Sequence, residues 1–232
     1  MVWIREFLLG RMQRVRVGGQ LSEEVRVTSS VLQGSVVGPL LFLAYVNDIW
    51  RNTESTTRLF ADDCVIYRKI INNEDMEKLQ KDLDRLGEWV VENVIKINPS
   101  KSKTVRFMRA RVKDPLNYSL IDALIPEVSS CKYLGIILCS NLSWADQVNY
   151  RVKKAWKALH FTMQILKKGK SNTKSLAYMS LVRPILEYGA GCWDPYREGQ
   201  ISALDRVQKK AAKFAHHTSS PNWETLASRR RL

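Results

Sequence analysis

Arg58-Leu59-Phe60-Ala61-Asp62-Asp63-Cys64-Val65-Ile66-Tyr67 sets two adjacent carboxylates between two short apolar runs. Leu59 and Ala61 on one side of the doublet, and Val65 and Tyr67 on the other, alternate with neighbours of the opposite face. The segment therefore reads as strand, turn, strand, with Asp62 and Asp63 at or near the bend. A hairpin tip presents both side chains at the mouth of a sheet. Two like charges side by side make sense chiefly when a cation neutralises them. Magnesium takes one or two protein carboxylates together with waters and phosphate oxygens, which suits a short acidic doublet on a rigid hairpin. A pair of such ions clamps the attacking and leaving oxygens of an in-line phosphoryl displacement. A solvated Asp-Asp turn is the plainer alternative, because Asp favours turns for reasons unrelated to metals.

Composition bears on that choice. The 232 residues carry 37 Lys and Arg against 23 Asp and Glu, a net charge of +14, and 45% are hydrophobic, enough for a packed core. The charge is uneven: residues 145–232 hold 17 Lys and Arg and 6 Asp and Glu, a net of +11, which leaves +3 for residues 1–144. The basic half is a candidate for contact with a phosphate backbone, through counterion release and without sequence reading. Solvated helix faces account for some of these lysines in any case. Cys64, Cys131, Cys139 and Cys192 have no Cys-x-x-Cys spacing, and His160, His216 and His217 complete no zinc pattern. Arg5, Arg11, Arg14 and Arg16 interrupt every apolar stretch near the amino end, and no run approaches the ~20 residues of a membrane span. The expectation is a reduced intracellular compartment, cytoplasmic or nuclear, with no secretion and no membrane partner.

Outward from the doublet, the amino-terminal side opens with a hairpin over residues 12–28, turning at Gly18-Gly19. A loop from Ser29 to Gly38 contains Gln33-Gly34-Ser35. Pro39 then sits in the first turn of a helix reaching about Asp48, whose core Leu40-Leu41-Phe42-Leu43-Ala44-Tyr45-Val46 is apolar all round and so is expected to be buried on every side. Beyond the doublet, Asn73 is the expected N-cap of an amphipathic helix with the stripe Met76, Leu79, Leu83, Leu86 and Val90, ending near Asn93. Asn98-Pro99-Ser100-Lys101 follows, then an expected strand over Thr104–Met108 and a looser stretch, 109–130, broken by Pro115 and Pro126. Tyr133 to Leu138 reads as a buried strand. Ser143 with Asp146 suggests a capping box for a helix striped by Val148, Val152, Ala155, Leu159, Met163 and Leu166. Arg151, Lys153, Lys154 and Lys157 fall mostly off that stripe. Two more helices are expected near 173–187 and 201–215. The fold class is α+β, divided as a sheet domain over 1–140 and a basic helical domain over 141–232.

The order of these motifs is more specific than any one of them. Ser35 to Asp48, then Phe60-Ala61-Asp62-Asp63, Asn98-Pro99-Ser100-Lys101 and Lys132-Tyr133-Leu134-Gly135, resembles the reverse transcriptase of a non-LTR retrotransposon, of the jockey-like or chicken-repeat type. The resemblance runs from about Trp3 to Arg230. It takes in Leu181-Val182-Arg183-Pro184-Ile185-Leu186-Glu187-Tyr188 and Leu204-Asp205-Arg206-Val207-Gln208-Lys209-Lys210-Ala211-Ala212, which are similar to the region after the polymerase in such elements. It implies a right-hand polymerase palm fragment, an antiparallel sheet with helices, followed by a helical thumb-like domain. It further implies an RNA template, a DNA primer, deoxynucleoside triphosphates and two Mg2+ ions, with Asp62 as metal ligand and Asp63 as its partner. Phe60 and Ala61 would line the primer end, and Gln33, Gly34 and Ser35 the nucleotide and template side. Lys101 would stand near the leaving pyrophosphate, or be one lysine of a basic loop. Tyr133, Leu134 and Gly135 would grip the primer, while Arg151, Lys153, Lys154 and Lys157 track the backbone. Arg229-Arg230-Arg231 is either a nucleic-acid contact or a charged terminus.

Two departures qualify the resemblance. Where the family has Ser-Gly-Val-Pro-Gln-Gly, this chain has Ser29-Ser30-Val31-Leu32-Gln33-Gly34; Ser30 is strained if its position needs positive φ, and Leu32 frees an angle that proline fixes. The family's further metal-binding aspartate precedes these motifs, and Glu6, Glu23 and Glu24 do not match its context. The expectation is a truncated or decayed copy, a polymerase by descent that is inactive or nearly so by itself, with unpaired sheet edges. A basic nucleic-acid-binding remnant without chemistry is the competing reading, and a group II intron maturase or telomerase a distant one.

Overall fold

The computed structural model describes residues 2–108 and 116–216, which fall into two compact units: residues 1–97 with 119–123, and residues 98–118 with 124–232. Pro115, His217 and Arg229-Arg230-Arg231 lie outside the described residues.

The first unit starts with helix α1 (Val2–Leu8). The expected hairpin follows, built from β1 (Met12–Gln13), β2 (Arg16–Val17), β3 (Gln20–Leu21) and β4 (Val25–Arg26), with β1 on β4 and β2 on β3, both antiparallel. Gly18 and Gly19 both take positive φ, the turn that matches strand twist. Helix α2 (Gly38–Val46) has Pro39 in its first turn, as expected. It is not buried on every side: Leu40 is 66% exposed and Leu43 51%, and only Val46 is buried. A helix buries only the faces that neighbours cover, and the cover comes from one direction. The Tyr45 hydroxyl donates to the Asn93 carbonyl, and its ring lies 6.5 Å from that of Trp89.

Strands β5 (Thr56–Phe60) and β6 (Asp63–Tyr67) form the acidic hairpin. Helix α3 (Asn73–Glu92) buries Leu86 and Val90. Its N-cap is Asn72, one residue before the expected Asn73: the Asn72 side chain accepts from the Asp75 amide at 3.0 Å, and the Asp75 carboxylate accepts from the Asn72 amide at 3.4 Å. Strand β7 (Ser119–Leu120) packs on α3, with the Gln80 carboxamide accepting from the Ser119 amide at 3.0 Å. Strand β8 is Ala123–Leu124.

In the second unit Pro99–Lys101 makes a 3-10 turn. The strand expected over Thr104–Met108 reduces to one bridge, Thr104 with Glu127, where the Thr104 amide donates to the Pro126 carbonyl at 3.0 Å and the Val128 amide donates to the Thr104 carbonyl at 2.9 Å. The run Tyr133–Leu138 is not one strand. β9 (Ser130–Tyr133) turns back into β10 (Ile136–Cys139), with Leu134 and Gly135 at the bend. Helix α4 (Ala145–Ile165) follows, capped at Trp144, so the Ser143 hydroxyl accepts from the Ala145 amide and no capping box forms. The Gln147 carboxamide on α4 accepts from the Ile137 amide at 3.0 Å and ties the hairpin to the helix.

Helices α5 (Ser171–Ala177) and α6 (Arg183–Glu187) are joined by a π-helical turn, and α7 spans Glu198–His216, so both expected helical regions form. Val148, Ala155, Leu159, Tyr178, Val182, Leu186, Trp193, Leu204, Val207 and Ala211 make the core, with Ile136 joining from β10. Alanines on facing helices allow the close approach that aliphatic side chains elsewhere fill. Helices and short antiparallel pairs together give an α+β protein; among the described residues every sheet is two-stranded.

Candidate functional site

The acidic hairpin pairs Thr56 with Tyr67, Arg58 with Val65, Leu59 with Cys64 and Phe60 with Asp63. Asp62 therefore occupies the two-residue turn with Ala61, while Asp63 is the first residue of β6. Side chains of directly paired residues share a face, so Phe60 and Asp63 stand together, opposite to Leu59 and Cys64. Ala61 has φ +52, a left-handed conformation that costs an L-residue about 1–2 kcal/mol. Strain of this kind concentrates where chemistry fixes side-chain direction. Asp62 and Asp63 are exposed and make no ion pair or side-chain hydrogen bond among the described residues, and Phe60 is 62% exposed. Two open, adjacent carboxylates on a short hairpin fit the oxygen-donor preference of a divalent cation. Among the described residues no group of three or more His, Cys, Asp and Glu side chains comes together to hold a metal.

What fixes the base of this hairpin is a residue the sequence reading passed over. Asp82 of α3 is completely buried and accepts from the Glu54 amide at 3.0 Å and the Ser55 amide at 2.7 Å, just before β5 begins. Arg85 pairs with it at 3.1 Å. Burial alone would raise the Asp82 carboxyl, but hydrogen bonds from Ser55 and the Glu54 amide, with the Arg85 charge, outweigh it and hold the group below its ordinary value. A signal existed: Asp82 lies on the Leu79–Leu86 stripe of α3, where a carboxylate must find partners.

The loop before α2 turns at Gly34, φ +86. Ser35 closes it: its hydroxyl donates to the Leu32 carbonyl at 2.7 Å and accepts from the Gly38 amide at 3.1 Å, while Gln33 stays exposed. Ser30, standing where the related pattern has glycine, has φ +66, so the position does need the left-handed region.

In the second unit the bend of the β9–β10 hairpin is clamped. Leu134 has φ +44 and Gly135 φ +79. The Tyr188 hydroxyl donates to the Leu134 carbonyl at 3.0 Å, and Arg151 donates to the Gly135 carbonyl at 2.6 Å. The guanidinium of Arg151 also sits 4.3 Å from the Tyr188 ring centroid and 5.4 Å from that of Tyr150. Arg151 is 4% exposed. It thus leaves the set of residues that face outward for a phosphate backbone, because it lies on the inner side of α4 between Val148 and Ala155. Lys153, Lys154 and Lys157 are exposed. Lys132 donates to the Tyr150 hydroxyl at 2.9 Å, which directs its charge beside the same bend. Lys101 ends its turn exposed, over an Asn98 side chain that accepts from the Ser100 amide at 3.1 Å. Asp62 and Asp63 belong to the first unit, and Lys101, Tyr133, Leu134 and Gly135 to the second.

The loop before α2, the strained acidic turn and the clamped bend follow one another along the chain in the order in which the sequence resemblance sets its motifs. The chain belongs to the reverse transcriptase (RNA-dependent DNA polymerase) family, which matches residues 1–138. Among curated proteins it is 30% identical over 220 residues to the probable RNA-directed DNA polymerase from transposon X-element of Drosophila melanogaster, covering 91% of this chain and 24% of that protein. It is 25% identical over 224 residues to the probable RNA-directed DNA polymerase from transposon BS of the same species, covering 90% of this chain and 25% of that one. The RNA-directed DNA polymerase from mobile element jockey of Drosophila funebris is 25% identical over 233 residues, 95% of this chain and 25% of the relative. The chain thus spans about a quarter of the length of these relatives. The sequence-based resemblance to a jockey-like retrotransposon polymerase is borne out. No solved structure matches. Among the described residues no helix is long and apolar enough to cross a membrane.

Proposed function

We propose that this chain supplies part of the catalytic region of a mobile-element RNA-directed DNA polymerase, with residues 1–140 acting as palm and the basic stretch 141–232 as thumb. The observation that supports it most is the pair Asp62 and Asp63, open and unpaired on a strained hairpin tip inside the family match. In this reading the two carboxylates hold Mg2+. Bound magnesium supplies charge neutralisation where a primer hydroxyl replaces pyrophosphate at the α-phosphorus of a deoxynucleoside triphosphate. The chain's own residues position the participants. Phe60 and Ala61 border the primer end, and the turn at Gln33, Gly34 and Ser35 lets backbone approach the nucleotide and template. Lys101 offers a cation to the departing pyrophosphate. The bend at Tyr133, Leu134 and Gly135, held by Arg151 and Tyr188, presents a fixed backbone surface to the primer. Lys153, Lys154 and Lys157 face the strand phosphates.

A second reading is a nucleic-acid-binding protein without chemistry. It is favoured by the net charge of +11 over residues 145–232, which supports backbone contact through counterion release without any chemistry. Primer extension on a poly(rA) template with an oligo(dT) primer, Mg2+ and thymidine triphosphate separates the two. Extension that Asp62→Ala abolishes establishes the polymerase reading for this chain. Template–primer binding that is unchanged in Asp62→Ala and Asp63→Ala, with no extension in any variant, establishes the binding reading.

A further inference from the structure

Beyond the residues discussed so far, the helical unit contains an open cleft of about 550 Å3 where the end of α4 meets α5 and α7. Its lining includes Met163 of α4, Lys167 just past α4, Lys174 from the middle of α5, and Lys210, Lys213 and Phe214 from α7. No acidic residue is among those that line it, and none of the four lysines makes an ion pair among the described residues. The α7 residues are spaced i, i+3, i+4, which places them on one face of the helix. Ser171 at the start of α5 lies with its hydroxyl 3.0 Å from Nδ1 of His216 at the end of α7, so the two walls are tied at one side.

Helix-end electrostatics explains part of this. Lys213 is in the last turn of α7 and Lys167 follows the end of α4, where cations offset the carbonyl dipoles. It does not explain Lys174, which is 8% exposed and has its ammonium 4.6 Å from the Phe214 ring centroid. Burial of its stem and the ring against its ammonium hold Lys174 in one place, and it makes no ion pair among the described residues. A fixed ammonium beside the exposed Lys167, Lys210 and Lys213, with no carboxylate among the lining residues, matches the chemistry of a phosphate group.

We propose that this cleft is a phosphate-binding site that seats one backbone phosphate of a nucleic-acid strand, with Lys174 as its fixed floor and Lys167, Lys210 and Lys213 closing on the phosphate oxygens. The Phe214 ring keeps the Lys174 ammonium in place rather than stacking on a base, since that face is already occupied. The inference rests on the nucleic-acid reading above and adds a location to it. It makes no use of Asp62 or Asp63, and the site is separate from Lys153, Lys154 and Lys157.

Lysine acetylation of the intact chain, at limiting reagent and read by peptide mass spectrometry, tests the site directly. It is run without addition, with a 15-nucleotide RNA, and with 10 mM inorganic phosphate. The expected result is that RNA lowers acetylation of Lys174, Lys210 and Lys213 at least fivefold while phosphate changes it less than twofold. Binding of the same RNA by fluorescence anisotropy should weaken about tenfold in Lys174→Met, with a shallower dependence on log salt by about 0.7, the share of one single-strand phosphate contact. Thermal unfolding of Lys174→Met should match the parent. Lys210→Gln/Lys213→Gln gives a second variant, on exposed positions that fold independently of the buried one, and should weaken binding likewise. RNA binding that leaves these lysines unprotected overturns the cleft while the nucleic-acid reading stands. Equal protection by inorganic phosphate overturns the strand as occupant, and no RNA binding at all overturns the cleft together with the reading it rests on.

Discussion

Asp82→Ala should loosen the acidic hairpin without touching either acidic residue at its tip. Asp82 is the buried acceptor for two backbone amides, Glu54 at 3.0 Å and Ser55 at 2.7 Å, immediately before β5. Hydrogen bonds to an ionised acceptor contribute about 1.5–3 kcal/mol each, and a buried amide left without any acceptor costs about 1–3 kcal/mol. Glu54 can turn to water whereas Ser55 is buried, so the loss should be about 3–5 kcal/mol, in the range found when one partner of a buried pair is removed. Hydrogen exchange reports it locally. The Ser55 amide should exchange at least about a hundredfold faster in Asp82→Ala, since 1.4 kcal/mol is a factor of ten. Asp82→Asn keeps one acceptor oxygen and should lose about half as much. The carboxyl is held below its ordinary value, so its contribution is complete above the unfolded pKa and disappears as pH falls through the lower folded one. Acid should therefore narrow the gap between parent and Asp82→Ala, and leave Asp82→Asn almost unaffected. Unchanged exchange at Ser55 in Asp82→Ala would refute the anchor.

Two backbone predictions follow from positive φ. Ser30→Gly relieves a left-handed serine at φ +66 but adds conformational entropy to the unfolded chain, for a net gain of roughly 0.5 kcal/mol in urea denaturation; destabilisation there would mean that the serine side chain matters more than its backbone. Gly135→Ala places a Cβ 3.0 Å from Cε1 of Tyr188 at φ +79, and should cost about 2–4 kcal/mol and weaken the Tyr188–Leu134 hydrogen bond. A Gly135→Ala protein as stable as the parent would show that the bend is not clamped.

What the sequence revealed, and what it hid, has a physical pattern. The acidic hairpin was legible because alternation on both sides of Asp62-Asp63 leaves one arrangement for the pair. The hairpin over 12–26 was legible because Gly18-Gly19 supports a single turn type. Tyr133–Leu138 misled, because an apolar run bears no mark of the point where it folds back, and Leu134 is a poor residue for positive φ. The all-apolar α2 misled in another way: composition reports what a helix tolerates on its faces, and only neighbours decide which faces are covered. Asp82 and Tyr188 went unseen because their roles depend on Ser55 and Leu134, 27 and 54 residues away, and no local pattern records such partners.

Helix α4 shows how charge that is uniform in sequence becomes sorted in space. Four cations within seven residues look equivalent, yet Arg151 is 4% exposed and bonded to Gly135, whereas Lys153, Lys154 and Lys157 are exposed. Their effects on nucleic-acid binding should therefore separate. Lys153→Gln/Lys154→Gln/Lys157→Gln removes up to three phosphate contacts. It should flatten the dependence of log affinity on log salt by up to about 2 for a single strand, with stability within about 0.5 kcal/mol of the parent. Arg151→Gln should do the reverse. It removes the donor to Gly135 and the cation beside Tyr188, lowering stability by about 2–4 kcal/mol while the salt slope of the folded protein stays as it was. Urea denaturation and anisotropy at three salt concentrations on both variants suffice. An Arg151→Gln protein that folds normally and loses salt dependence would reverse the assignment, and would put Arg151 on the nucleic-acid surface after all.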